Sequence, residues 1–307
     1  MGQGGAHVSV AIIGTGAVAG LCVSWLDLAG AGPVAVCGRS PLEQFTITGD
    51  GVGGTDVRTI AVLPAPDGPV DWVLVTVKAQ DTASTAPWLD RLVGPGTVVV
   101  VLQNGVDHVE RVQPLVGEAE VLPVLVMAAA ERTGPGAVTH RIGNLLVTAR
   151  NPAAQRLSEL FDGGATVHQD PDLLTAAWRK LLVNVGGNCI TALTGRRAEV
   201  LRVPEVRELC RAVLTETAAA GRSVGALLTD ADVEGTLRLY DSYPDDNGSS
   251  MYYDRMSGRP LEHELIPGAV VRAAERGGVD VPVTRAIWAL TKAVSEAVPL
   301  GRGPILE

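Results

Sequence analysis

The hydrophobic positions in the first half of the chain fall into short, almost unbroken runs: HVSVAII from His7 to Ile13, then VAVCG, DWVLVTV, TVVVVL and VLPVLV. Between them lie stretches whose apolar residues return every three or four positions, AVAGLCVSWLDLA, STAPWLDRL and DHVERVQPL. Continuous apolar strands alternating with amphipathic helices predict a parallel sheet covered on both faces. Two runs, FTITGD and VRTIAV, flank Gly51 to Gly54 and predict a hairpin inserted after the second strand. A second pair, AVTH and NLLVTA, precedes a helix (PAAQRLSELF) and a short strand (TVHQ).

Past Asp170 the period changes to that of helices almost throughout. LLTAAWRKLLVNVGGNCITAL, VPEVRELCRAVLTETAAAGRSVG, DADVEGTLRLYDSY, LEHELIPGAVVRAAERGG and VTRAIWALTKAVSEAV each carry an apolar stripe. The change of pattern predicts two domains, residues 1–170 and 171–307, with Pro171 and Asp172 leading into the first long helix. A chain of 307 residues is long enough for that division, because single cores stop growing near this size.

Composition narrows the class of partner. A formal net charge of -9 argues against a nucleic-acid or anionic-membrane surface and favours a small-molecule ligand. No apolar run approaches the length of a membrane span, and the opening MGQGGAH has neither the basic nor the apolar segment of a signal peptide. That heptapeptide reads as a frayed end. Cys22, Cys37, Cys189 and Cys210 lie scattered in apolar contexts without metal-ligand spacing, which predicts buried thiols, a cytoplasmic location and no metal.

The chemistry begins where the first strand runs into Gly14-Thr15-Gly16-Ala17-Val18-Ala19 and then a helix. In that context the first glycine turns the chain, the second lets the backbone approach a pyrophosphate, and the helix N-terminus attracts its charge. The expected architecture is therefore α/β: an N-terminal Rossmann-type, doubly wound parallel sheet followed by a second, all-α domain. The second strand ends Cys37-Gly38-Arg39-Ser40, without the acid that NAD enzymes place on the ribose 2′-hydroxyl. Arg39 stands where a guanidinium would grip a 2′-phosphate, which selects NADPH, although a solvated arginine after a strand would read the same way. Lys78 with Gln80, and Asn104, follow the next two strands, at the carboxyl ends where open α/β sheets bind ligands. The ordinary account of both is a strand-capping cation and an Asn-Gly turn.

Lys180, Asn184 and Asn188 form the most informative constellation of the second half. Spacing of i, i+4 and i+8 drifts about 40° per step, so the three share one side of a helix whose remaining residues are Leu, Val and Gly. Buried without partners they would cost several kcal/mol, so they predict a wet or ligand-filled cavity. A solvent-facing stripe is the plainer alternative. Gly186 and Gly187 each weaken a helix by about 1 kcal/mol relative to Ala and hint at close approach by something else. Downstream, Ser249-Ser250-Met251 follows a polar loop, with Asp254 a little later, and Glu262 opens the predicted helix LEHELIPGAVVRAAERGG.

Taken in order, Gly14 to Ala19, Val77-Lys78-Ala79-Gln80, Gln103-Asn104-Gly105, Lys180-x-x-x-Asn184-x-x-x-Asn188, Ser249-Ser250-Met251 with Asp254, and Gly258-Arg259-Pro260 with Glu262 and Glu264 resemble the ketopantoate reductase (2-dehydropantoate 2-reductase) family. The resemblance spans residues 8 to 298, and the twelve-residue step from Ser250 to Glu262 is the family spacing. It implies a general acid at Lys180, substrate-orienting amides at Asn184 and Asn188, and a substrate-binding hydroxyl at Ser250. It also implies Asn104 against both nicotinamide and substrate, Glu262 near cofactor and lysine, and Arg39 with Lys78 on the 2′-phosphate side of NADPH. Two positions depart from the family pattern: Ala198 and Pro267 stand where members often carry Asn. Both lie on the substrate side.

The expected reaction is hydride transfer from the nicotinamide to C2 of a 2-oxo acid, with Lys180 protonating the oxygen. Two other readings remain open at this level. One is an NADP-dependent reductase of another carbonyl or an imine, like the β-hydroxyacid dehydrogenases. The other is a non-catalytic NADPH sensor, which would need the glycine turn and Arg39 but not the lysine and amides. A homodimer through an apolar helix face is allowed, as is a monomer.

Overall fold

The computed structural model describes residues 9–51 and 53–297, so the opening heptapeptide lies outside it. The chain parts into two compact units between Leu173 and Leu174.

In the first unit, β1 (Val10–Ile13) leads into α1 (Ala17–Leu28) and then β2 (Ala35–Cys37). The expected hairpin follows as β3 (Gln44–Thr48) and β4 (Val57–Ala61), paired antiparallel with Phe45 opposite Ile60. β5 (Trp72–Val75) runs into a 3-10 segment, Ala79–Thr85, before α2 (Ala86–Leu92), so the predicted helix begins later than its sequence pattern suggests. β6 (Val98–Val101), α3 (His108–Val116), β7 (Glu120–Gly134), β8 (Ala137–Ala149), α4 (Pro152–Leu160) and β9 (Thr166–Asp170) complete the unit.

β2, β1, β5, β6 and the start of β7 pair in parallel, in that order. The four valines of β6 are all buried, which suits a strand covered on both faces and stabilises the sheet by about 1.5–3 kcal/mol for each side chain. On one face, Val73, Val75, Val99 and Val101 pack with Leu89 and Leu92 of α2 and Val112 and Val116 of α3. The other face differs from the simple helical cover that the pattern predicts. β7 is a fifteen-residue strand that leaves the parallel sheet and pairs antiparallel with β8, its register interrupted by shifts near Met127 and Ala129. AVTH and NLLVTA are therefore two ends of one strand: the first end pairs with β3 and the second with β9. α1 packs against β3, β7 and β8, and joins Phe45, Ile47, Val138 and Leu146 to the core of the parallel sheet. Gly20 makes this approach possible, because a Cβ there would lie 2.7 Å from Val138 Cγ2.

All described elements of the second unit are helical. α5 (Leu173–Val183) continues through a five-residue π-turn, Asn184–Asn188, into α6 (Cys189–Thr194). After a 3-10 segment, Ala198–Arg202, come α7 (Pro204–Ser223), α8 (Asp230–Asp241), α9 (Ser250–Met256), α10 (Pro267–Gly277) and α11 (Pro282–Glu296). The long α7 packs against the π-turn and against α8, α10 and α11. α9 is absent from the sequence expectation. Ser249 creates it by accepting a hydrogen bond from the Tyr252 amide at 3.0 Å, as an N-cap does. Glu262 does not open a helix: α10 starts at Pro267, and Pro suits that first position because its missing N–H needs no partner there. This is also a structural reason for Pro where the family pattern often has Asn.

Candidate active site

The glycine turn of the first unit is built from two opposite demands. Gly14 has φ +131°, and a Cβ on it would lie 2.5 Å from Thr76 Oγ1. Only glycine meets both conditions. Thr76 crowds this point because its hydroxyl donates to Ile13 C=O at 3.0 Å, tying the ends of β1 and β5 together. Gly16 has ordinary extended angles, and a Cβ there would meet nothing within 4 Å. The protein's own packing does not require glycine at that position, and the backbone there is left open. Gly16 is also the N-cap of α1, makes no side-chain cap, and precedes a first turn without acids, so the helix start suits an anion. Thr15, Gly16, Ala17 and Val18 are half-buried, while Ala19 is fully buried under the sheet extension.

The end of β2 is fastened to this turn. The Gly14 amide donates to Cys37 C=O at 2.9 Å, and Gly38 passes so close that a Cβ would lie 2.7 Å from Thr15 Cγ2. Arg39 and Ser40 follow, both exposed, which leaves the guanidinium accessible to a phosphate beside the turn. Lys78 is half-buried at the start of the 3-10 segment after β5, and Gln80 is exposed on its first turn. Asn104 is half-buried in the Asn-Gly turn after β6, where Gly105 has φ +105°.

Gln103, quoted in the sequence motif without a role, joins these loops. Its Nε2 donates to Val77 C=O at 3.0 Å, its Oε1 accepts from Arg111 at 3.1 Å, and it bonds the Thr82 hydroxyl. The buried side chain thus locks the segment bearing Asn104 to the one bearing Lys78. The residue type was visible in the sequence; its partners were not.

In the second unit, Lys180 is half-buried near the end of α5. Desolvation pushes its pKa down to about 8, and the Glu262 carboxylate partly opposes this by favouring the charged form. Glu262 is itself 2% exposed, too buried to serve a helix dipole from the surface. Its backbone carbonyl anchors a tight turn by accepting from the Leu265 and Ile266 amides at 3.2 and 3.1 Å. Glu264, two residues on, accepts from Trp288 and Arg272 and fastens the same segment to the helices after it.

The stripe is not carried by a uniform α-helix. Asn184 and Asn188 are the two ends of the π-turn; Asn184 is half-buried and Asn188 is 9% exposed. A regular helix would let the stripe drift by about 80° between Lys180 and Asn188, and the extra residue in a π-turn takes back about 100°. The three side chains are therefore better aligned than α-helical spacing alone allows. Asn188 Nδ2 donates to Ser250 Oγ at 3.4 Å. Beside this long contact, Ser249 Oγ and Thr191 Oγ1 are 2.7 Å apart, and Arg255 donates to Leu193 C=O at 2.7 Å. These bonds strap α9 to α6, so Ser250, although exposed, is held next to the stripe. Thr191 is a residue that the sequence pattern does not single out; hydroxyls at i+3 of an amide carry no signal of their own.

Gly186 and Gly187 explain the turn. A Cβ at Gly186 would lie 2.6 Å from the Tyr240 hydroxyl, and one at Gly187 would lie 3.3 Å from the same ring. The close approach that the glycine pair predicts comes from within the protein. Of the two departures from the family pattern, Ala198 is buried at the start of its 3-10 segment, where its amide donates to Asn247 C=O at 2.9 Å. Among the described residues, no group of three or more His, Cys, Asp or Glu is disposed to hold a metal, and no helix is long and apolar enough to cross a membrane.

Comparison with known proteins gives the family. Residues 10–150 match the family model described as "Ketopantoate reductase PanE/ApbA", and residues 172–295 match its C-terminal counterpart. A 2-dehydropantoate 2-reductase of Mycobacterium tuberculosis is 39% identical, covering 94% of this chain and 98% of the relative. The Caulobacter vibrioides protein of the same name is 33% identical, with coverage of 94% and 99%. A dimeric ketopantoate reductase of Staphylococcus aureus superposes with a TM-score of 0.83 at 27% identity, covering 94% of this chain and 99% of that one. With both family models matched in order and relatives aligned over nearly the whole length, the chain belongs to the ketopantoate reductase family.

Proposed function

We propose that the chain is an NADPH-dependent reductase of a 2-oxo acid of the 2-dehydropantoate type, yielding the 2-hydroxy acid. Family membership supports the reaction class and the cofactor. The observation that carries the residue assignment is the second unit's cluster: a half-buried lysine whose pKa is brought to about 8 beside a buried carboxylate, with two amides and a hydroxyl aligned next to it.

The first unit fits NADPH. The Gly14–Ala19 turn and the start of α1 would hold the pyrophosphate, and Arg39, with Lys78 and Gln80 at the next strand end, would hold the 2′-phosphate side. The bound nicotinamide supplies the hydride, and Asn104 is assigned to its neighbourhood. On the second unit Lys180 donates the proton to the carbonyl oxygen as it becomes a hydroxyl. A lysine suits this because it stabilises developing negative charge and, with a pKa near 8, releases its proton at working pH. Asn184, Asn188 and Ser250 bind and orient the oxo acid, since amides and hydroxyls can pair with both carbonyl and carboxylate. Glu262 keeps Lys180 protonated by its charge.

Four buried free thiols support a reducing compartment, the cytoplasm. The deciding experiment is loss of NADPH absorbance with a panel of 2-oxo acids that includes 2-dehydropantoate. Turnover with at least one is expected. Binding of NADPH without turnover of any would sink the reading and leave a sensor.

A further inference from the structure

Tyr240, on α8, is fully buried, and its hydroxyl sits inside the neighbouring helix. It donates to Val183 C=O at 2.8 Å and accepts from the Gly187 amide at 2.9 Å. In an uninterrupted α-helix those two backbone groups would bond to each other, residue 187 to residue 183. The hydroxyl has replaced that one bond, and the chain around it takes the wide π-turn at Asn184–Asn188. Gly186 is the position that admits it, since any Cβ there would collide with the oxygen. Burial holds the Tyr240 pKa well above its ordinary value, so the proton needed for donation to Val183 stays in place.

We infer that Tyr240 is a positioning residue for the reduction: its hydroxyl, wedged between Val183 and Gly187, maintains the turn that aligns Asn184 and Asn188 with Lys180 and sets Asn188 beside Ser250. The inference rests on the reductase reading for its functional half. Its geometric half stands alone. π-turns persist in helices where something satisfies the bonds they break, and they recur at functional sites. Here the wedge comes from a side chain 53 positions later in the chain than the amide it serves.

Tyr240→Phe keeps the ring and removes the wedge. The expected result is direct bonding of the Gly187 amide to Val183 C=O in a crystal structure of the variant, with Asn188 rotated away from Ser250. Kinetically, KM for the oxo acid should rise about tenfold or more, with a smaller fall in kcat and an NADPH Kd within about twofold of the parent, as expected when substrate orientation alone is lost. Gly186→Ala serves as the second variant, because its Cβ expels the hydroxyl and should lower Tm. Adding Tyr240→Phe to it should recover Tm without recovering KM, which a purely structural role for the tyrosine does not predict. A wide turn that persists in Tyr240→Phe overturns the inference, and so does a KM within about twofold of the parent in a variant whose turn has closed. If the parent turns over no 2-oxo acid, the reductase reading fails by itself, and the crystal structure of Tyr240→Phe still decides the wedge.

Discussion

The glycine turn of the first unit and the glycine pair of the second unit are similar in sequence and work in opposite ways. At Gly16 the missing side chain faces nothing that the protein supplies. At Gly186 it faces a tyrosine hydroxyl 2.6 Å from where a Cβ would stand. The first kind of glycine leaves backbone accessible to a ligand, and the second makes room for another part of the chain. Gly14 belongs with the second kind, since Thr76 and its positive φ both demand it. The contrast teaches that a glycine is a ligand-site marker only when its own protein does not already explain it.

The largest effect that would test this division of labour is at the lysine. Lys180→Ala should cut turnover by about 10² to 10⁴, the usual loss for a general acid, while leaving NADPH affinity nearly unchanged in a fluorescence titration. Comparable losses in both would mean that the two units do not divide the work as proposed.

Next in size is the glycine contrast itself. Gly16→Ala should raise the NADPH Kd tenfold or more yet cost no more than about 1 kcal/mol in a denaturant melt, because only a helix N-cap is altered. Gly14→Ala should instead destabilise the fold by about 1–3 kcal/mol or more through its backbone conformation and the collision with Thr76. Equal stability losses at the two positions would remove the distinction between them.

A smaller change is expected at Arg39. Its alanine variant should lose most of the preference for NADPH over NADH, about tenfold for one charge-assisted contact, with NADH affinity unaffected. An unchanged ratio of the two dissociation constants would return Arg39 to the status of a solvated surface residue.

The smallest and sharpest test is a shift in pH dependence. With the Lys180 pKa lowered to about 8 by desolvation, the proposed role as proton donor requires kcat for reduction to be flat below that value and to fall above it. Oxidation of the hydroxy acid, which needs the neutral amine, should rise through the same range. Glu262→Gln removes the charge that raises the lysine pKa, so the midpoint should move lower. A midpoint that stays put would show that the carboxylate does not act on Lys180.

Much of the first unit was legible because its signals are local. An apolar strand, a G-x-G turn and a helix are contiguous, and the physics that ties them to a dinucleotide operates within a few residues. The sheet extension was not, because β7 reads as VLPVLV only where it is buried on both faces. Its remaining residues are half-buried or exposed, and pairing with β8 rather than hydrophobicity keeps them extended. The sequence pattern places Glu262 on a helix that in fact starts later; the proline five residues on, which starts α10, was the available signal.

By itself the sequence determined the parallel sheet, the glycine turn, the acid-free end of the second strand, and the lysine and amides with their spacing. Those follow from side-chain period, turn chemistry and charge, all properties of neighbouring residues. Only the tertiary structure decided where that spacing points. The alignment of Lys180, Asn184 and Asn188 depends on a hydroxyl from α8 replacing one backbone bond, and the approach of Ser250 depends on hydroxyl and guanidinium straps between α6 and α9. Such contacts join residues some fifty to sixty positions apart, beyond the reach of any periodicity, and they form because a buried polar group must find a partner wherever the fold provides one.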